Sequence, residues 1–298
     1  METLKTAFYD YIKQVVSMAD ASTLITEDNI FQEGAGNILP FLDKIVDELV
    51  LPGSGVDGIE NLEELLDKAQ SGKSCLLLPE HYSNLDLSLI STLVKKAEGR
   101  GRDISSAIVA IAGMKLNEEN RVVSAFASAY TRLIIYPSRS IEGLDPVKDR
   151  AELIRSNAIN RAAMKKLMEI KTKGRLILVF PSGTRYRPWD PNTKQGVREI
   201  DSYIKSFDYM CPIALNGQVL HVHQGDMMED TVGPDIVRIT AGPVISCTEF
   251  RDKVRSEIDV KAESGSADKK QAVANAIMAM LEKIHTESEA GRQKLLKN

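Results

Sequence analysis

The sequence predicts an α/β fold: a mixed, largely parallel sheet covered by helices, preceded by a small N-terminal helical domain. Three observations predict it. From Ser74 onward short apolar runs alternate with amphipathic segments, the pattern of parallel strands joined by crossover helices. Before that, apolar residues recur at three- and four-residue spacing, the pattern of helices. Between the two lies Leu51–Gly58, which holds Pro52, Gly53, Gly55 and Gly58 and breaks either pattern. The expected division is a helical domain over 1–58 and an α/β domain over 59–298.

Each element has its reason. Phe8, Tyr9, Ile12, Val15 and Val16 mark one face of a first helix, and Leu42, Ile45, Val46 and Leu49 mark a second over Pro40–Leu51. Ser74–Pro79 is a short apolar run and reads as a buried strand. A helix over Asn84–Lys96 follows, with Asn84 as its N-cap. Ser105–Ala112 is a strand, Glu118–Ala129 a helix and Arg132–Tyr136 a strand. Lys148–Lys171 is a long helix with Leu153, Ile154, Ala158, Ala162, Leu167 and Ile170 along one side. Arg175–Phe180, Met210–Leu215 and Ile236–Ala241 are further strands. Polar Lys261–Lys269 reads as an exposed loop, and Lys270–His285 closes the chain as a helix.

Composition narrows the function. At 298 residues with 43% hydrophobic and 27% charged content, the chain is none of the disordered, collagen-like or coiled-coil classes. Its net charge of −4 gives no global basic character, which speaks against a nucleic-acid partner. Cys75, Cys211 and Cys247 form neither a disulfide framework nor a CxxC metal site, so a reducing, cytoplasmic setting is expected. The N-terminus lacks the apolar core of a signal peptide. The longest uncharged stretch, Tyr209–Gly225, is interrupted by Pro212, Asn216, Gln218, His221 and His223 and is too polar to span a bilayer. A soluble or peripherally membrane-associated protein is expected.

Chemistry gathers where predicted strands end. Glu80-His81-Tyr82-Ser83-Asn84-Leu85-Asp86 follows the first buried strand. On one helix His81 and Asp86 would stand about 140° apart. With Asp86 in the first turn and His81 in the loop before it, the loop can fold back so that a carboxylate orients an imidazole, which makes a general base. The plainer reading is a helix-start acid and a loop histidine. Phe180-Pro-Ser-Gly-Thr-Arg-Tyr-Arg-Pro188 follows another strand. If Arg185–Arg187 is extended, Arg185 and Arg187 share a face, and two guanidinium forks suit a phosphate. The alternative is a solvated turn whose arginines pair with acids such as Asp190. Tyr136-Pro-Ser-Arg139 follows a third strand. In a parallel sheet these loops share the carboxyl edge, where ligands bind: one base and three cations, fit for a phosphorylated alcohol.

Other candidates carry less. His221 and His223 share one side of a strand, but no further ligand completes a metal set. Ser182 lacks the G-x-S-x-G context of a hydrolase nucleophile. Between Arg150 and Arg175 eight basic residues face two acidic ones, 8 − 2 = +6, a solvated face or a dock for an acidic partner or anionic membrane surface.

Together these segments resemble a known family. His-Tyr-Ser-Asn-Leu-Asp resembles the H-x4-D box of glycerolipid acyltransferases, and Phe-Pro-Ser-Gly-Thr-Arg resembles their F-P-E-G-T-R box, in the same order. Cys211-Pro-Ile-Ala-Leu215 resembles the V-P-I/L-x box that ends the core. Ser182 in place of glutamate, and Arg185-Tyr-Arg-Pro-Trp-Asp-Pro191, look most like the soluble, plastid-type glycerol-3-phosphate acyltransferases. The likeness spans about residues 70 to 245. It implies a helical domain ahead of an α/β catalytic domain, His81 as base, Asp86 as its orienting partner, and Arg139, Arg185 and Arg187 as ligands of the glycerol 3-phosphate phosphate. Ser182 and Gly183 support the second box. That subfamily's basic box reads K-K-H where this chain has Ser138-Arg139-Ser140. The family implies no metal or other cofactor. Its co-substrate is an acyl thioester of acyl carrier protein or CoA, and Lys148–Lys171 would be the dock for the carrier. The implied reaction is acyl transfer to the sn-1 hydroxyl of glycerol 3-phosphate. Transfer to lysophosphatidic acid is the near alternative, and a serine hydrolase using Ser182 the distant one.

Overall fold

The structure, a computed structural model, describes residues 1–19, 24–114, 121–225, 227–261 and 268–297. Its centre is a sheet in the order β1-β5-β4-β6-β3-β7-β10-β2. The strands are β1 (Phe31–Gln32), β2 (Gly55–Asp57), β3 (Cys75–Pro79), β4 (Ile108–Gly113), β5 (Arg132–Ile135), β6 (Leu176–Leu178), β7 (Tyr209–Asn216) and β10 (Arg238–Ala241). The five inner strands β5, β4, β6, β3 and β7 run parallel. β1 and β10 pair antiparallel at either side, and β2 lies parallel to β10. A short β11 (Ile245–Ser246) pairs with the start of β7, while β8 (Leu220–His221) and β9 (Thr231–Val232) form a separate hairpin. This is the mixed, largely parallel α/β sheet that the alternation predicts.

Alternation along the central strands divides the core into two layers. Cys75 and Leu77 of β3 and Leu176 and Leu178 of β6 point to one face. Leu76 and Leu78 of β3 and Ile177 of β6 point to the other. The first face is covered by α1 (Leu4–Ala7), α2 (Tyr9–Met18), α3 (Leu39–Leu49), α4 (Ile59–Gln70), α5 (Asp86–Lys96), α6 (Gly101–Ala107) and α7 (Arg121–Ala127). The second is covered by α8 (Arg150–Ile170), α9 (Ile200–Ser206), α10 (Cys247–Lys261) and α11 (Lys269–Leu295). Among the described residues no helix is long and apolar enough to cross a membrane.

The structure departs from the sequence reading in several places. The segment 1–58 is mainly helical, but it also supplies β1 and β2 to the sheet, and its helices share one core with α4 and α5. The breaker Leu51–Gly58 therefore contains an edge strand. Ser105–Ala107 is the end of α6, and the strand begins only at Ile108. Asn84 is not a cap: α5 starts at Asp86, and the Asn84 side chain meets Met227 Sδ at 3.3 Å. The last helix runs ten residues past His285, to Leu295. The loop expected at Lys261–Lys269 falls mostly on 262–267, outside the described residues, as does the start of the helix expected at Glu118.

Candidate active site

β3, β4, β5 and β6 end on one edge of the sheet because they are parallel. The loop leaving β3 turns back on itself. Asp86 sits at the first position of α5, where the positive end of the helix favours a carboxylate, and is only 2% exposed. Its Oδ2 accepts the backbone N–H groups of Tyr82 (2.6 Å) and Ser83 (2.9 Å), and its Oδ1 accepts the Ser83 hydroxyl (2.7 Å). Surrounded by donors, the carboxylate can act only as an acceptor. His81 Nδ1 therefore donates to Oδ2, at 2.9 Å. That fixes the tautomer and leaves the Nε2 lone pair free. The ring lies flat against Phe180, with centroids 3.9 Å apart and planes 19° off parallel. An imidazole so held can accept a proton at Nε2 and have the resulting charge balanced by Asp86.

The loop leaving β6 sits directly beside it. Gly183 adopts φ +63°, which an L side chain resists, and its N–H closes the turn onto Phe180 carbonyl at 2.9 Å. The Tyr186 N–H then donates to the His81 carbonyl at 2.8 Å, which joins the two loops. Arg187 and Asp190 close a tight turn just after the arginines. The two arginines differ in their partners. Arg185 Nη1 donates to Asp230 Oδ2 at 2.6 Å, with 11% and 1% of the two side chains exposed. Arg187 is half-buried, and its guanidinium takes no partner among the described residues. Asp190, the acid that a solvated turn would use, meets Arg187 through backbone and not as an ion pair.

Against this geometry the comparisons with known proteins decide the class. The acyltransferase family model matches residues 55–225, more than half of the chain. The chain belongs to the acyltransferase family. No curated protein matches it. The matched span of this acyltransferase runs from β2 past the β8 strand, so it contains both loops just described.

Three further sequence candidates of the acyltransferase can be placed. Arg139 lies exposed on a 3-10 turn after β5, on the same sheet edge as His81. Three strand spacings, about 14 Å, separate β5, which it follows, from β3, which His81 follows. Ser182 is 4% exposed, and its hydroxyl donates to the Thr184 carbonyl at 2.7 Å within its own turn. It makes no bond to His81, which counts against the hydrolase reading. His223 Nε2 meets Thr231 Oγ1 at 2.9 Å, and no cluster of three His, Cys, Asp or Glu ligands occurs among the described residues.

Sequence reasoning gave no role to two buried carboxylates next to the site, Glu80 and Asp230, which are 5% and 0% exposed. Asp230 Oδ1 accepts the His223 N–H at 3.0 Å and its carbonyl accepts the Leu4 N–H at 3.0 Å, so it ties Arg185 to the β8–β9 hairpin and the N-terminus. The available signal for Glu80 was its position between a buried strand and His81.

Proposed function

We propose that this acyltransferase is a glycerol-3-phosphate 1-O-acyltransferase. The observation that carries the reading is the pairing of an oriented imidazole with a cation that has no partner among the described residues. His81 offers a free Nε2, and Arg187, one residue from the Tyr186 amide that holds His81, offers an unmatched guanidinium. A small phosphorylated alcohol answers both. Its phosphate takes Arg187 and the remaining donors of Arg185, with Arg139 further along the edge, and its hydroxyl reaches His81.

In the reaction, His81 Nε2 takes the proton from the sn-1 hydroxyl as that oxygen attacks the thioester carbonyl. Asp86 balances the imidazolium. The tetrahedral intermediate collapses, the C–S bond breaks, and the imidazolium returns its proton to the departing thiolate. The products are lysophosphatidic acid and the free thiol. No enzyme nucleophile takes part, and no metal or other cofactor is used. The donor is an acyl thioester of acyl carrier protein or CoA, and α8 presents a basic face to which an acidic carrier would dock. Substrate placement by Arg185 and Arg187 turns binding energy into alignment.

The test is transfer of a labelled palmitoyl group from carrier-protein and CoA thioesters, with glycerol 3-phosphate and lysophosphatidic acid as competing acceptors. The expected product is labelled lysophosphatidic acid. Preferential labelling of phosphatidic acid would replace this reading with that of a lysophosphatidic acid acyltransferase.

A further inference from the structure

Glu80 is the last residue to follow the β3 ladder: its N–H donates to the Ile213 carbonyl at 3.0 Å. After it the chain leaves the sheet to form the His81 loop. That departure removes the strand that would pair with the next N–H of β7 on this side, at Leu215. The Glu80 side chain replaces it, with Oε2 accepting the Leu215 N–H at 2.9 Å. A buried amide is thus satisfied by a carboxylate where a strand carbonyl would have been.

The same carboxylate makes two more bonds. Its Oε1 accepts the Tyr82 hydroxyl at 2.8 Å, and its Oε2 accepts His285 Nδ1 of α11, also at 2.8 Å. Tyr82 is thereby held at both ends, its amide on Asp86 and its hydroxyl on Glu80. His81 lies between these two anchors. On the helix side, the His285 carbonyl accepts Asn216 Nδ2 at 3.0 Å, so α11 is keyed to β7 at the same residue. Glu80, Tyr82, Glu282 and Glu289 face the His285 ring, and the hydrogen bond that the ring donates to Glu80 raises the imidazole's pKa above its ordinary 6.5. A charged partner strengthens the bond that closes the cluster.

We propose that Glu80 is a positioning residue for His81: through the Tyr82 hydroxyl, Leu215 amide and His285 imidazole it locks the His81 loop to β7 and α11. The proposal rests on the reading of His81 as the base. It makes α11 part of the site's alignment through His285.

The test compares Glu80→Gln, Tyr82→Phe and His285→Gln with the unaltered protein. Turnover is measured with glycerol 3-phosphate and a palmitoyl thioester, and the four histidines are followed by NMR of histidine-labelled protein. Glu80→Gln should lower kcat by about 10- to 100-fold, the effect of a small misplacement of the base. The other two variants should lower it by less, and KM for glycerol 3-phosphate should stay within about twofold. The signal of the His81 proton shared with Asp86 should shift or broaden, while those of His221 and His223 hold. An unaltered kcat with an unaltered His81 signal in folded Glu80→Gln and Tyr82→Phe would overturn the proposal. So would losses that follow the melting temperature while the His81 signal stays fixed. If Glu80→Gln fails to fold, Tyr82→Phe decides the matter, because it leaves the Leu215 amide bonded. His81→Ala, measured in parallel, separates the two claims. Full turnover there would remove the base, whereas a displaced His81 signal in the Glu80 variant would still report the lock.

Discussion

The two loops at the centre of the site use their polar groups in opposite ways. In the loop after β3, Asp86 receives four donors, Glu80 three, and His81 is held at its ring and its carbonyl. In the loop after β6, the turn is closed by backbone bonds and Gly183, while the Arg187 charge is unmatched among the described residues. On the proposed reading, the difference follows from what each group has to do. A base gains from rigid alignment with the proton it takes, so its bonds are internal and complete. A ligand-binding cation gains from internal bonds left unmade, because desolvation is then compensated only when the ligand arrives.

The most severe way to break the first loop is His81→Ala. It should lower transfer by at least about 10²- to 10⁴-fold, to near background, with the fold retained. The ring stacks on Phe180, and Asp86 keeps its three other donors when the imidazole is gone. Purified, folded variant with substantial turnover would remove the base assignment. Asp86 is a different matter: its loss would unbind Tyr82, Ser83 and His81 together, so a fall in activity there could not be assigned to the imidazole alone.

The second loop can be sharpened by separating its arginines, to which the sequence assigns one role. Arg187→Ala should raise KM for glycerol 3-phosphate by roughly 10- to 100-fold, the loss of a charged hydrogen bond worth about 1.5–3 kcal/mol, and leave the melting temperature unchanged. Arg185→Ala leaves the buried Asp230 carboxylate unpaired. It should destabilise the protein by about 3–5 kcal/mol, whatever it does to KM. Thermal melts and steady-state kinetics on both variants check this. A KM unchanged in both would end the phosphate assignment.

Legibility in the sequence divides along the same line. His81 and Asp86 are five residues apart, so a local pattern suffices to suggest the pair. β3 and β6 are legible because each is a continuous apolar run buried on both faces. β1 and β2 are not, since strands of two and three residues at a sheet's margin have no alternation to read. Ser105–Ala107 misleads because the helix end runs straight into the apolar strand at Ile108, with no Gly or Pro between them to mark the boundary. Glu80 escapes for another reason: its partners Leu215 and His285 are 135 and 205 residues away, and only the folded sheet brings them to it. Asp230 likewise reaches Arg185 across 45 residues.

The smallest expected effect extends the contrast between matched and unmatched charge to α8. Ile154, Met164 and Met168 are 59%, 53% and 50% exposed, unusual for large apolar side chains on a helix. Spacings of seven, eleven and fourteen residues from Ile154 put Arg161, Lys165 and Met168 on the same side. Arg161 and Lys165 take no ion-pair partner among the described residues, whereas Lys166 meets Glu169 at 3.2 Å. The proposed carrier dock is therefore the Arg161–Lys165 stripe, and the charge of Lys166 is already matched. Arg161→Glu with Lys165→Glu should slow transfer from an acyl carrier protein by about 3- to 10-fold at low salt, and transfer from acyl-CoA by less. Raising the ionic strength should narrow the gap, since exposed charges are screened beyond a few ångströms at high salt. Stability should stay within about 0.5 kcal/mol, as for other surface changes. Equal effects on the two donors, or a gap that salt leaves unchanged, would reject the dock while leaving the two loops and their chemistry as they stand.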